Sequence, residues 1–214
     1  MVVFRNFINI FYIPDLCKKI LFTLGVLIIY RVGSHVPVIG VNTEALTHLM
    51  QQAKSLGGLF AYLDMFSGGK LRECTLFALG IMPYISASIV MQMLSMTVPS
   101  LEMLVKEGEY GRKVINQYTR YLALLVAVIQ SSGYVFLLER NALVVAPGLG
   151  FRFLFILSLT VGSFFVMWLG EQISTFGLGN GSSVIIFAGI VAHFPDNVLR
   201  TLYRVQEGIM DPVV

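Results

Sequence analysis

Phe77-Ala78-Leu79-Gly80-Ile81-Met82-Pro83-Tyr84-Ile85-Ser86-Ala87-Ser88-Ile89, running on to Gln92, lies within a stretch from Cys74 to Leu101 that contains no Asp, Glu, Lys or Arg. Crossing the hydrocarbon core of a bilayer takes about 20 apolar residues, because each residue of an α-helix advances 1.5 Å. The stretch is long enough, and its polar residues are ordered. Tyr84, Ser88, Gln92 and Ser95 recur at three-to-four spacing, so they form one stripe facing protein or water. Small hydroxyls also mediate ordinary helix contacts in membranes, but four aligned polar groups argue that this span lines something.

Outward from this stretch, further uncharged runs extend from Tyr121 to Leu138, from Phe153 to Gly170, and from Gln172 to Pro195, where the apolar part starts near Ser183. A weaker run, Ile20 to Tyr30, reaches spanning length at Pro37 if Arg31 and His35 sit near an interface or face protein. The pattern predicts an all-α membrane protein with five transmembrane helices at 20–37, 74–98, 119–138, 153–171 and 183–203. Residues 38–73, 99–118, 139–152 and 172–182 connect them, and 204–214 form a tail. Residues 1–19 read as an interfacial segment with Phe4, Phe7, Phe11 and Tyr12 on its membrane side, since no small-residue cleavage site precedes Lys18 and Lys19. The basic residues divide almost evenly between the two sides; the close pair Arg112-Lys113 favours an inside N-terminus only modestly.

Composition agrees with the span count. The chain has 214 residues, of which 13% are charged and 56% hydrophobic, and its mean hydropathy is +0.78. Soluble domains carry roughly 25% charge and 45 to 50% apolar residues, so an ordinary soluble enzyme is excluded. A formal charge of +3 is too diffuse for nucleic-acid binding. Cys17 and Cys74 form neither a zinc spacing nor a disulfide framework. His35, His48 and His193 are scattered, and no intramembrane acid pair or arginine ladder appears, so proton pumping and voltage sensing lack their residues. No nucleophile stands with a base at usable spacing. The expectation is a protein that is not an enzyme, with no catalytic residues, cofactor or metal.

Two glycine-rich segments bear on mechanism. Glycine pairs bracket the apolar block from Gly57 to Gly69, the shape of a small lid on flexible hinges; an amphipathic surface turn fits the composition equally well. Gly177-Leu178-Gly179-Asn180-Gly181-Ser182-Ser183 superficially resembles a phosphate-cradling loop, but it follows an apolar helix ending in Glu171 and Gln172 rather than a strand. It predicts a tight hairpin, with glycines ending one helix and Ser182 or Ser183 capping the next.

Phe77 to Ile89 with Gln92 resembles a signature of SecY, the channel subunit of the general protein translocase. Met167-Trp168-Leu169-Gly170-Glu171-Gln172-Ile173, followed by Gly177 to Ser182 and by Ile185-Ile186-Phe187-Ala188-Gly189-Ile190, resembles that family's second conserved block. Glu107-Gly108-Glu109-Tyr110-Gly111-Arg112-Lys113 and Gln117-Tyr118-Thr119-Arg120-Tyr121 are similar to its first long cytoplasmic loop. The similarity spans roughly Leu16 to Glu207.

The resemblance implies a channel that passes unfolded preproteins across the inner membrane of a bacterium and releases transmembrane segments laterally into lipid. It implies a cytoplasmic N-terminus, cytoplasmic 99–118 and 172–182, and external 38–73 and 139–152. The fold implied is one half of a SecY-type clamshell, with a short re-entrant plug helix at 57–69 that includes Phe60, Asp64, Met65 and Phe66. Ile81, Ile85 and Ile186 match pore-ring positions. Such aliphatic side chains can close against ions by dewetting yet bend around a passing chain, and Ile81 and Ile85, four apart, share a helix face. Ser86 and Gln130 match the lateral gate. Partners implied are SecE-like and SecG-like small membrane subunits, the motor ATPase SecA or the ribosome, signal peptides and lipid.

The first fifteen residues and Arg72-Glu73 depart from the family pattern, and family members have ten spans where five are read here. The chain is therefore expected to be a truncated product or a split subunit. The competing reading is a five-span scaffold or assembly factor that binds translocase partners without forming a pore.

Overall fold

A computed structural model describes residues 14–38, 40–41, 74–141, 143–144 and 148–192. These form helices α1 (Pro14–Gly33), α2 (Met82–Thr97), α3 (Pro99–Lys106), α4 (Glu109–Arg140) and α5 (Leu149–Phe176), followed by α6 (Gly181–Ala192). The architecture is all-helical. By length and composition α4 and α5 can each cross a membrane, and α2 with α3 would make a third span if counted together. The block 57–69, with Phe60, Asp64, Met65 and Phe66, lies outside the described residues, as do 1–13 and 193–214.

The decisive stretch does not form one straight helix. Pro83 occupies the first turn of α2, where its missing N–H costs no hydrogen bond and its fixed φ suits a helix start. Residues 74–81 before it are a compact run of turns, closed by bonds from the Ala78 N–H to the Thr75 carbonyl and from the Gly80 N–H to the Phe77 carbonyl, both 2.9 Å. At the other end Val98 is extended (φ −98°, ψ 114°) ahead of Pro99, because a proline ring disfavours helical geometry in the residue before it. The chain bends there by 99° into α3. Pro83 therefore stands at a helix start rather than inside a span running from Cys74 to Leu101, and α2 is 16 residues long, about 24 Å.

Other boundaries also move. The segment 99–118 is largely helical, as α3 and the first turns of α4. Helix α5 continues past Glu171 to Phe176, so Glu171 lies within the helix rather than at its end. Its last turns satisfy their own hydroxyls, since Ser174 and Thr175 donate to the carbonyls of Gly170 (3.1 Å) and Glu171 (2.9 Å).

Two apolar clusters organise the packing. One joins Val38, Cys74, Ala78 and Leu79 to Tyr134, Val135 and Leu138 of α4 and Phe155 and Leu159 of α5. The other joins Val26 and Tyr30 of α1 to Phe77, Ile81, Val166, Leu169 and Ile173, with Ile185 of α6. The 74–81 turn sits between both. It is tied to the end of α1 by bonds from the Leu76 N–H to the Val36 carbonyl (2.8 Å) and from the Val38 N–H to the Cys74 carbonyl (2.9 Å). Gly162 of α5 makes this fit possible: a Cβ there would overlap the Leu76 carbonyl oxygen.

Candidate functional site

Helix α2 has two unlike sides. Pro83, Ala87 and Met91 are buried, and Ala87 packs with Ala123 of α4 and Met167 of α5. Small residues at this seam let the backbones come close, as expected where dispersion rather than hydrophobic expulsion holds helices together. On the polar stripe Tyr84, Ser88 and Ser95 are half-buried and Gln92 is exposed. The stripe thus follows a margin of the helix that α4 and α5 leave partly uncovered.

Ile81, Ile85 and Ile186 fall in a single apolar cluster, although more than a hundred residues separate the last from the others. Ile81 is 4% exposed, whereas Ile85 and Ile186 are partly buried at the edge of the cluster. Gly170 explains the meeting of α2 with α6: a Cβ on it would lie 3.2 Å from Ile81 Cδ1 and 3.4 Å from Ile185 Cδ1. Ile185, which the sequence reading did not single out, is the more buried of the adjacent isoleucines on α6 at 1%. Its position one residue before Ile186 turns it inward toward α5, so helical phase alone separates a buried isoleucine from a partly buried one. Ser86 is half-buried on α2 and Gln130 exposed on the neighbouring α4. Ala87 and Ala123 bring their helices together, about two helical turns from Gln130 along α4.

The α5–α6 hairpin positions Ile186. Leu178 donates its backbone N–H to Thr23 Oγ1 (3.2 Å), which itself donates to the Lys19 carbonyl (2.8 Å), so α1 holds the turn. The cap of α6 is Asn180 rather than Ser182 or Ser183. Its Oδ1 accepts from the Ser182 N–H (3.0 Å) and, at longer range, the Ser183 N–H (3.4 Å). An asparagine directly ahead of the first helical residue satisfies amides that have no partner inside the helix, whereas both serines already lie inside α6. Gly181 must be glycine because a Cβ would overlap the Gly170 carbonyl oxygen. Asn180→Ala is expected to cost about 1 kcal/mol. Thermal unfolding of the purified protein in detergent checks it; a melting temperature equal to that of the parent would show that the cap contributes nothing.

Among the described residues no three His, Cys, Asp or Glu side chains are grouped to hold a metal ion. The chemistry available is that of an apolar cluster bordered by a short polar stripe.

The fold defines a class, the all-helical protein with helices long and apolar enough to cross a membrane. Two solved structures share the fold at a TM-score of 0.60 and 18% identity, each over 91% of this chain and 42% of its own: a protein-conducting channel, and Sec61 in the canine ribosome-channel complex from the endoplasmic reticulum. Residues 75–213 match the SecY family model. Among relatives named protein translocase subunit SecY, that of Aquifex aeolicus is 45% identical over 211 residues, 95% of this chain and 49% of the relative. That of Escherichia coli K12 is 45% identical over 198 residues, 91% and 44% respectively. The chain belongs to the SecY family, and it spans about half the length of the curated relatives it matches.

Proposed function

We propose that this chain supplies one half of a protein-conducting channel that passes unfolded polypeptide across a bacterial inner membrane and releases apolar segments sideways into lipid. The observation that carries the reading is the margin of α2, where Ile85 and the Ser88–Gln92 stripe stay partly uncovered while the opposite face is buried. In this reading Ile81, Ile85 and Ile186 form the pore ring, with Ile81 the most buried of the three. Ser86 and Gln130 lie at the lateral gate, which α2 and α4 border. The 57–69 block, with Phe60, Asp64, Met65 and Phe66, is the plug.

The chain makes five spans with its N-terminus in the cytoplasm, and Arg112 and Lys113 support that orientation through the excess of positive charge on cytoplasmic segments. The relatives are named as subunits of a translocase, which supports assembly with SecE-like and SecG-like membrane subunits and docking of SecA or a ribosome.

Ile85→Ser and Ile186→Ser test this in the assembled translocase. Each removes apolar contacts of about 2 kcal/mol from the closed constriction, so ion conductance per inserted channel in a planar bilayer should rise roughly thirtyfold. Unchanged conductance with reduced yield would mean that these residues only pack helices together.

A further inference from the structure

Helices α4 and α5 are joined by an arginine–glutamate pair at each end of the uncharged stretch they share. Near one end Arg120 of α4 grips Glu171 of α5 through two contacts, Nε to Oε1 and Nη2 to Oε2, both 2.7 Å. Near the other, Arg152 Nε of α5 donates to Glu139 Oε1 of α4 at 2.7 Å. The helices run antiparallel, and the spacing is the same on both: 120 to 139 on α4 and 152 to 171 on α5, or 19 residues in each case. That rise is about 28 Å, close to the roughly 30 Å thickness of a bilayer's hydrocarbon core.

Between the pairs neither helix carries a charge. Their exposed residues there include Leu125, Ile129, Phe136, Leu157 and Val161. Tyr121 and Trp168, also exposed, stand just inside the Arg120–Glu171 end, where amphipathic rings favour a membrane interface. In both pairs the glutamate is the more sheltered partner, at 22% and 15% side-chain exposure against 48% for each arginine. Each arginine thus covers its carboxylate and keeps guanidinium surface for headgroups and water.

We propose that the two ion pairs are interfacial clasps: they lock α4 in register on α5 and fix the depth at which the helix pair sits in the bilayer. In water such pairs contribute little. At the edge of hydrocarbon, sliding one helix by a turn would part both pairs and draw a charge toward lipid, which is costly. The proposal rests on reading α4 and α5 as spans, and it adds where each span begins and ends.

Single nitroxide labels at positions 125, 129, 136, 157 and 161 test it, in protein with Cys17→Ser and Cys74→Ser reconstituted into phosphatidylcholine–phosphatidylglycerol vesicles. Collision rates with oxygen and with a water-soluble nickel chelate report depth. Ile129 and Val161, midway between the pairs, should be deepest. A maximum at Leu125 or Phe136 on α4, or at Leu157 on α5, would overturn the clasps while leaving the spans intact; nickel access at all five positions would overturn the spans themselves.

Charge reversal tests the register. Arg120→Glu and Glu171→Arg should each lower the folded, membrane-inserted yield about fivefold, and their combination should restore it to within about twofold. A combination no better than the single variants would refute the pairing. The neutral double Arg120→Gln with Glu171→Gln, which avoids an unpaired charge, should shift the depth maximum by about one turn; an unmoved profile would show that packing alone sets the depth.

Discussion

Gly162→Ala should lower the stability of the folded protein by about 3 kcal/mol, the upper end of what overpacking in a well-filled interior costs. The magnitude follows from what the new methyl group would meet. A flexible side chain could rotate aside, but the obstacle is the backbone carbonyl of Leu76. That carbonyl belongs to a turn held by the Leu76 N–H on the Val36 carbonyl and the Val38 N–H on the Cys74 carbonyl, just past α1. Relief therefore requires α5 or the whole 74–81 turn to move. Loss of about 10 °C in melting temperature is expected for a chain of this size. Because the turn leads directly into Ile81 and Ile85, the proposed constriction should also leak ions in the assembled channel. Gly25→Ala is the control, since nothing lies within 4 Å of a Cβ there. A Gly162→Ala protein as stable as the Gly25→Ala protein would show that the close approach of turn and helix is not needed.

Phe77→Ala should be at least as damaging, at about 3–5 kcal/mol, the usual cost of truncating a buried aromatic residue. Phe77 is 2% exposed and lies between two rings. Tyr30 of α1 stacks on it with centroids 5.9 Å apart and planes 1° apart, and Phe165 of α5 stacks at 5.9 Å and 23°. Gly33 leaves room for its edge, since a Cβ there would lie 2.6 Å from Phe77 Cζ. One ring thus joins α1, the turn and α5, and its removal leaves a cavity bordered by all three. Phe77→Leu should recover much of the loss, because aromatic stacking adds only about 1 kcal/mol beyond buried area. Chemical denaturation of the detergent-solubilised protein measures both variants. A Phe77→Ala loss below about 1 kcal/mol would mean the cavity closes by local collapse.

The polar stripe on α2 was legible in the sequence because helical spacing alone puts Tyr84, Ser88, Gln92 and Ser95 along one line, and the fold leaves that line partly uncovered. The split between Ile185 and Ile186 was not, since both are aliphatic and only the position of α5 decides which one turns inward. The cap at Asn180 was missed for a local reason. Asn, Ser and Thr all cap helices, and Ser182 and Ser183 compete on paper until the helix start is known. Both prolines, Pro83 and Pro99, stand within the uncharged run from Cys74 to Leu101. An uncharged run read by hydropathy, however, does not register whether a proline stands at a helix boundary or within it.

What the sequence by itself determined is which segments are apolar enough to enter lipid. Hydrocarbon penalises charge so heavily that uncharged runs such as Tyr121 to Leu138 and Phe153 to Gly170 mark segments able to cross a membrane before any contact is known, and the helices α4 and α5, long and apolar enough to do so, cover both. The motifs within and between those runs also carried the SecY resemblance. Tertiary structure alone decided which atoms meet across the spans. Arg120 and Glu171 are 51 residues apart, and Gly162 is as permissive as any glycine until the Leu76 carbonyl lies against it. Transfer into lipid depends on each residue's own chemistry and adds up along the chain. Packing depends on pairs, and no residue's chemistry names the partner that the fold will bring to it.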